Sequence, residues 1–114
     1  MAHVKLERKD DIVILAPKGQ LVGGDDTTAE LERSIRDLAN EGNMKLLLEM
    51  GEVDFINSWA LGVIIGAHAN YSKRGAQIKI STLSPRNSQL MTITKLVRIF
   101  DIYESREAAL KSFN

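Results

Sequence analysis

One hydroxyl group in the sequence lies where a loop is expected to become a helix. Ser58 follows an apolar run, residues 44–50, which is typical of a strand buried on both faces. A turn is expected over residues 51–54, and the apolar stripe of a helix begins at Leu61. Asn57 and Ser58 are both good N-caps, because their side-chain oxygens accept hydrogen bonds from the amides of the first helical turn. A polar group at such a helix N-terminus is a common place for function.

The remaining reactive side chains form no recognisable catalytic or metal-binding pattern. His3 and His68 are far apart in the sequence, and the chain has no cysteine, so no zinc-binding spacing is present. A Ser58–His68 pair is excluded because ten helical residues separate their backbones by about 15 Å. Ser72 lies within reach of His68, but no carboxylate nearby in the sequence would orient the imidazole. We therefore predict no catalytic residue, no metal site, no cofactor and no enzymatic activity.

Two pairs of residues ahead of the first expected helix each allow two interpretations. Gly23-Gly24 could approach a phosphate, but the lysine and hydroxyl of a P-loop are missing, so a turn is the simpler account. Asp25-Asp26 could bind a divalent ion. Their simpler role is to place negative charge at a helix N-terminus, where the helix dipole favours it.

Length and charge limit the class of protein. A chain of 114 residues is expected to form one domain, spanning residues 1–114. Fifteen basic residues balance fifteen acidic ones, so no net charge favours binding to nucleic acid or to an anionic membrane. No apolar stretch reaches the roughly 18 residues of a membrane helix, and the N-terminus lacks the apolar core of a secretory signal. These features predict a cytoplasmic protein that does not insert into membranes.

The order of expected elements indicates a layered α/β domain. Apolar alternation around a turn at residues 9–11 predicts an antiparallel hairpin, and a capping box joins Thr27 to Glu30 at the start of the first helix. The other expected helices begin at Ser58, Pro85 and Ser105, glycines end the first two helices at Gly42 and Gly75, and further strands contain Ile78, Ile80 and Ile102. The prediction is a mixed sheet of four to five strands with about four helices packed on it.

Apolar spacing predicts one core and leaves two features of the second helix open to interpretation. The expected core contains Leu31, Ile35, Leu46, Leu47, Leu48, Ile64, Ile65 and Leu110, and Leu90, Ile93 and Val97 are expected on one face of the third helix. Gly62 and Gly66 share a helical face, and we expect them to allow close approach to the sheet. Trp59, the only tryptophan, is either a binding anchor or a partly buried core residue over the helix end.

Residues 55–64, FINSWALGVI, resemble the signature of the STAS domain family of anti-sigma-factor antagonists. That signature is an aromatic or aliphatic pair, Asp-Ser, Ser or Thr, Gly, then Leu-Gly-Val-Ile. Three further segments also resemble the family: Gly19-Gln20-Leu21 with Asp25 and Thr28-Ala29, the strand 46–49, and residues 99–100 with 105–109. A few residues around 22–24 are additional to the family pattern. The resemblance spans nearly the whole chain.

The resemblance implies a non-enzymatic switch. Members of the family bind a serine kinase that also sequesters a sigma factor, and the unphosphorylated antagonist occupies the kinase so that the sigma factor is released. The kinase phosphorylates the signature serine, which matches Ser58, and a phosphatase restores it. The partner-binding surface implied for this chain comprises Asp25, Asn57, Ser58, Trp59 and Ala60.

Three residues depart from the family signature. Asn57 replaces its aspartate, Trp59 its second hydroxyl residue and Ala60 its glycine. The indole beside Ser58 either restricts access by a kinase or indicates a different partner. Two alternatives therefore stay open: a STAS subunit of a transporter or signalling assembly that is not phosphorylated, and a nucleotide or small-molecule sensor that uses residues 23–25.

Overall fold

The computed structural model describes residues 3–113, which form seven strands and four α-helices. The strands are β1 (Val4–Lys9), β2 (Ile12–Pro17), β3 (Gly19–Leu21), β4 (Lys45–Glu49), β5 (Val53–Ile56), β6 (Gln77–Ser81) and β7 (Asp101–Tyr103). The helices are α1 (Asp26–Asn40), α2 (Ser58–Lys73), α3 (Pro85–Ile93) and α4 (Arg106–Ser112), with a 3-10 turn at Leu96–Arg98.

Five strands form a mixed sheet in the order β1-β2-β4-β6-β7. The β1–β2 hairpin is antiparallel, and every other neighbouring pair is parallel. The central strand β4 has Leu46, Leu47 and Leu48 fully buried, as its continuous apolar run predicted. Gly42 and Gly75 follow α1 and α2 with positive φ, which confirms them as helix terminators. The predicted α/β architecture is thus confirmed.

A second, two-stranded sheet joins β3 to β5 in parallel and was not predicted. The turn expected over residues 51–54 is wrong beyond Glu52, because Val53 already belongs to β5. Strands of three and four residues are too short to show an alternating pattern. This small sheet is important because β5 leads directly into α2, and β3 leads through a short loop into α1.

The apolar residues form two clusters, so the prediction of one core is wrong. The larger cluster contains Leu31, Ile35, Leu46, Leu48 and Ile64. The smaller one contains Ile12, Ile14, Leu47 and Ala109, with Leu110 and Phe113 packed against it from the α4 segment. Successive side chains of a strand point to opposite faces, so Leu47 cannot share a cluster with its two neighbours. Ile65 is 39% exposed, because the adjacent Ile64 takes the inward position on α2.

The first helix has a different cap from the predicted one. Asp25 is the N-cap of α1, and its Oδ2 accepts a hydrogen bond from the backbone N–H of Thr28 at 3.2 Å. Thr27 lies buried in the first turn. Glu30 accepts hydrogen bonds from the backbone N–H groups of His3 and Val4 instead of closing a capping box. The α1 helix is thereby tied to the start of β1.

The helical face expected to carry Leu90, Ile93 and Val97 is interrupted, and other residues of α3 are buried. Asn87 and Met91 are buried, whereas Ile93 and Val97 are exposed. The helix ends at Ile93, and Lys95 adopts a left-handed backbone conformation with φ 63°. Val97 therefore lies in the following 3-10 turn, where helical spacing no longer places it beside Leu90 and Ile93.

Candidate functional site

Two helix N-termini lie beside each other at the ends of the small sheet. Leu21 pairs with Ile56 in the β3–β5 register, so the segments that follow these residues leave the sheet side by side. One segment runs through residues 22–24 to the α1 cap, and the other runs directly to the α2 cap, Asn57. The two caps are the predicted partner-binding residues Asp25 and Asn57, and the other three form the first turn of α2.

Asn57 caps α2 and also binds the neighbouring loop. Its Oδ1 accepts a hydrogen bond from the N–H of Ala60 at 3.0 Å, and its Nδ2 donates to the carbonyl of Val22 at 2.6 Å. Its backbone N–H donates to the carbonyl of Leu21 at 3.0 Å. An aspartate could accept from Ala60 but could not donate to Val22, because an ionised carboxylate carries no hydrogen. Of the two candidate caps, Asn57 is the one used.

Ser58 is the first residue of α2 and is exposed. Its side chain is not the cap, so its hydroxyl is not needed to satisfy the first turn of the helix. An anion at this position would face the positive end of the helix dipole. Ser58 is therefore exposed at the positive end of the α2 dipole and has no role in capping the helix.

Trp59 is 68% exposed, and its ring lies against the backbone of Gly23. A Cβ atom at position 23 would lie 2.3 Å from Cγ of Trp59, which is far closer than van der Waals contact allows. Gly23 also has φ +77°, a conformation that glycine adopts without strain. The exposed ring is not a core residue, so the interpretation of Trp59 as a partly buried cover is wrong.

The remaining two predicted residues differ in accessibility. Asp25 is half-buried as the cap of α1. Burial alone raises the pKa of the Asp25 carboxyl, but hydrogen bonds from Thr28, together with those from the backbone of Asp25 and Val22, outweigh this effect and hold the pKa below its usual range. Ala60 is only 2% exposed and packs in the larger core cluster. Its backbone N–H donates a hydrogen bond to Oδ1 of Asn57. Its buried side chain is not available to a partner.

Other chemically reactive residues show no second site in the part of the chain that the structure covers. His68 is half-buried and packs edge-on against the ring of Phe100, with 5.1 Å between ring centroids. Within residues 3–113, no group of three histidine, aspartate or glutamate side chains could hold a metal ion. No helix in the same range is long and apolar enough to cross a membrane.

The glycines of α2 do not approach the sheet, so that prediction is wrong. A Cβ atom at Gly62 or Gly66 would meet no other atom within 4 Å. Both line an open groove of about 300 Å³ between α1 and α2, together with Ile35, Arg36 and Ala67. The face of α2 that packs inward carries Leu61 and Ile64 instead. Sequence reasoning missed Val22, and it considered Gly23 only as part of a turn or a phosphate contact and not as a neighbour of Trp59.

Comparison with known proteins agrees with this geometry. The STAS domain model matches residues 3–109. A Thermotoga neapolitana protein with a proposed anti-sigma factor antagonist role is 31% identical over 104 residues, covering 90% of this chain and 89% of the relative. The anti-sigma-B factor antagonist of Bacillus subtilis is 30% identical over 82 residues, which cover 71% of this chain and 73% of the relative.

A solved structure extends the similarity to the fold. The crystal structure of the Thermotoga maritima protein TM1081, which has the same proposed role, superposes with a TM-score of 0.87 at 26% identity. The match covers 95% of this chain and 92% of that protein. The chain belongs to the STAS domain family and is similar in sequence and fold to the anti-sigma factor antagonists.

Proposed function

We propose that this chain is a cytoplasmic anti-sigma factor antagonist whose partner is an anti-sigma factor with serine kinase activity. The contact surface, here called the switch surface, consists of Asp25, Asn57, Ser58 and Trp59. The observation that carries the proposal is the exposed Ser58 at the first position of α2, beside an exposed tryptophan and a second helix N-terminus. The names of the Bacillus and Thermotoga relatives support the class of partner.

Phosphorylation of Ser58 is the proposed switch. A phosphoserine carries about −1.5 to −2 charges at neutral pH. The N-terminus of α2 stabilises such a charge within the chain. Because Asn57 is neutral, the phosphate meets no like charge on the preceding residue, and the fold tolerates it. When a partner docks on this surface, the phosphate must lose its water or face repulsion from the partner, and either effect weakens binding. The modified form therefore binds its kinase more weakly, and a phosphatase restores binding.

The test starts with the partner that copurifies with the unmodified chain from its own cells. We expect a serine kinase, and incubation of that kinase with ATP and the chain should place phosphate on Ser58, as measured by peptide mass spectrometry. Ser58→Ala should abolish the modification, whereas Ser72→Ala, which removes an exposed serine from the same helix, should leave it unchanged.

Three results would contradict the proposed switch. An unmodified chain would exclude it, and so would phosphate found only on Ser34 or Ser72. Recovery of a membrane transport complex in place of a kinase would favour the alternative of a constitutively bound STAS subunit.

A further inference from the structure

We propose that Gly23 and Asn57 are positioning residues that hold the indole of Trp59 in one exposed orientation, and that the indole so held selects the partner. The part of this proposal that concerns partner selection rests on the function proposed above. The unit involved, here called the indole platform, consists of Val22, Gly23, Asn57 and Trp59. Its positioning role is a property of the free protein and can be measured without a partner.

The first contact within the indole platform is between Gly23 and Trp59. A Cβ atom at position 23 would lie 2.3 Å from Cγ, 2.5 Å from Cδ1 and 2.8 Å from Cβ of Trp59. The ring and a side chain at position 23 thus compete for the same space. The absence of a side chain on Gly23 lets the indole lie close to the loop while most of the residue stays exposed to solvent.

Hydrogen bonds fix this loop from both sides. The Val22 carbonyl accepts from Nδ2 of Asn57 at 2.6 Å, which ties the loop to α2. The N–H of Gly23 donates to Oγ1 of Thr28 at 3.2 Å, which ties the loop to α1. Gly23 therefore has little freedom to move away from the ring, and the indole has a firm support.

Three departures from the family pattern meet in the indole platform. The additional loop residues contact both of the others, through Val22 with the asparagine at position 57 and through Gly23 with the tryptophan at position 59, although the loop is distant from both in the sequence. An aspartate at position 57 would direct a carboxylate oxygen at the Val22 carbonyl, and two acceptors at that distance repel each other. We therefore interpret the asparagine and the glycine as residues that support the tryptophan.

A rigid indole determines which partner can dock. Because its orientation is set before binding, less side-chain freedom is lost when the complex forms. The matching surface must contain an apolar pocket deep enough for an indole. An anti-sigma factor shaped to meet a small hydroxyl residue at this position offers no such space and is excluded sterically.

The experiment compares Gly23→Ala with Gly24→Ala. Gly24 has φ +73°, close to the +77° of Gly23, so both substitutions carry a similar backbone strain, but a Cβ at position 24 meets no atom within 4 Å. Trp59 is the only tryptophan, so intrinsic fluorescence reports its position directly. In Gly23→Ala we expect a red-shifted emission, lower anisotropy and stronger acrylamide quenching, whereas Gly24→Ala should match the wild-type spectrum. Equal spectra for the two variants would overturn the positioning role of Gly23.

Asn57→Asp supplies a second variant that does not depend on glycine strain. It retains an acceptor for the Ala60 N–H but replaces the donor to Val22 with a charged acceptor that repels the carbonyl, and because the helix cap is kept, far-ultraviolet circular dichroism should show an intact fold. We expect its acrylamide quenching to rise towards that of Gly23→Ala. Wild-type quenching in Asn57→Asp would overturn the positioning role of Asn57.

Titration of the copurifying anti-sigma factor tests selection of the partner. Gly23→Ala should weaken the complex at least tenfold relative to Gly24→Ala, as measured by isothermal calorimetry. Equal affinities alongside different fluorescence would overturn selection while leaving positioning intact. If the copurifying protein is not an anti-sigma factor, the proposed function fails, and the fluorescence of the free protein still decides the positioning roles.

Discussion

At the residue scale, the neighbouring polar side chains of Asn57 and Ser58 divide two tasks between them. Asn57 satisfies the first turn of α2 and anchors the adjacent loop, while Ser58 is free of any capping role. N-cap chemistry was sufficient to place both residues at the helix start. It could not choose between them, because the choice depends on the Val22 carbonyl, which lies 35 positions away in the sequence.

This division of tasks predicts unequal effects on stability. Ser58→Ala should change the free energy of unfolding by no more than about 0.5 kcal/mol, as for most exposed positions. Asn57→Ala should lower it by about 1–2 kcal/mol, because it removes a helix cap and a second hydrogen bond. Urea unfolding followed by circular dichroism gives both values. Equal losses, or a larger loss for Ser58→Ala, would contradict the cap assignment.

The exposed indole predicts a variant that loses binding and keeps its fold. Trp59→Ala should weaken the complex with the anti-sigma factor by about 30-fold, which corresponds to about 2 kcal/mol, if the indole is an anchor. Ile65→Ala is a matched control, since it removes another exposed apolar side chain from the same helix. Calorimetric titration measures affinity, and urea unfolding checks the fold. Unchanged affinity in Trp59→Ala would rule out the anchor.

At the element scale, the carboxylate of Glu30 joins α1 to the edge strand β1. Its hydrogen bond from the backbone N–H of His3 is the main cause of a lowered pKa, burial opposes it, and the N–H of Val4 lowers the pKa further. A carboxyl whose pKa is lower in the folded state than in the unfolded state stabilises the fold above its unfolded pKa of about 4.3. That contribution is lost as the pH falls below this value.

Replacement of Glu30 should therefore change the acid sensitivity of the fold. We expect Glu30→Gln to be less stable than wild type at pH 6.5, and to lose less stability between pH 5 and pH 3. The urea midpoint across this range measures both effects. Glu32→Gln, which alters an exposed carboxylate on the same helix, should follow the wild-type profile. Parallel profiles for Glu30→Gln and wild type would show that the Glu30 bonds do not contribute.

Elements were predictable from sequence where they are long and bounded by turn residues. The hairpin, β4 and the helices fulfil that condition, and their positions agree with the structure. The strands β3 and β5 do not, because each is too short for a periodic pattern and lies next to a glycine-containing turn. Their pairing is a tertiary contact, and it is this pairing that brings the two halves of the switch surface together.

At the scale of the whole molecule, the sheet separates a large core from a small one. Leu47 belongs to the small core and packs with Ile12, Ile14 and Ala109. Leu47→Ala should lower the free energy of unfolding by roughly 2–5 kcal/mol, as buried leucines do. Leu6→Ala, on the exposed side of the hairpin, should change it far less. Urea unfolding measures both, and a loss of only a few tenths for Leu47→Ala would mean that the small core contributes little.

The layered arrangement was predictable from the order of elements. The direction in which individual side chains of β4 and α2 point was not. In a continuous apolar run such as residues 46–48, the residue types do not indicate which side chains pack on which side of the sheet. Along α2, small and apolar residues occur on several faces, so spacing alone shows that Gly62 and Gly66 lie together without showing what they face. Packing against α1 decides that these glycines line a groove.

The shared space of Gly23 and Trp59 also constrains the evolutionary route to this sequence. A tryptophan acquired first, against any side chain at position 23, would meet a Cβ atom at 2.3 Å and displace either the ring or the loop. A glycine acquired first, opposite a small residue at position 59, creates no such conflict. Descent that keeps the indole supported at every step therefore favours acquisition of the glycine before the tryptophan. Relatives that combine this glycine with a small residue at position 59 are the expected intermediates, whereas the opposite combination should be rare.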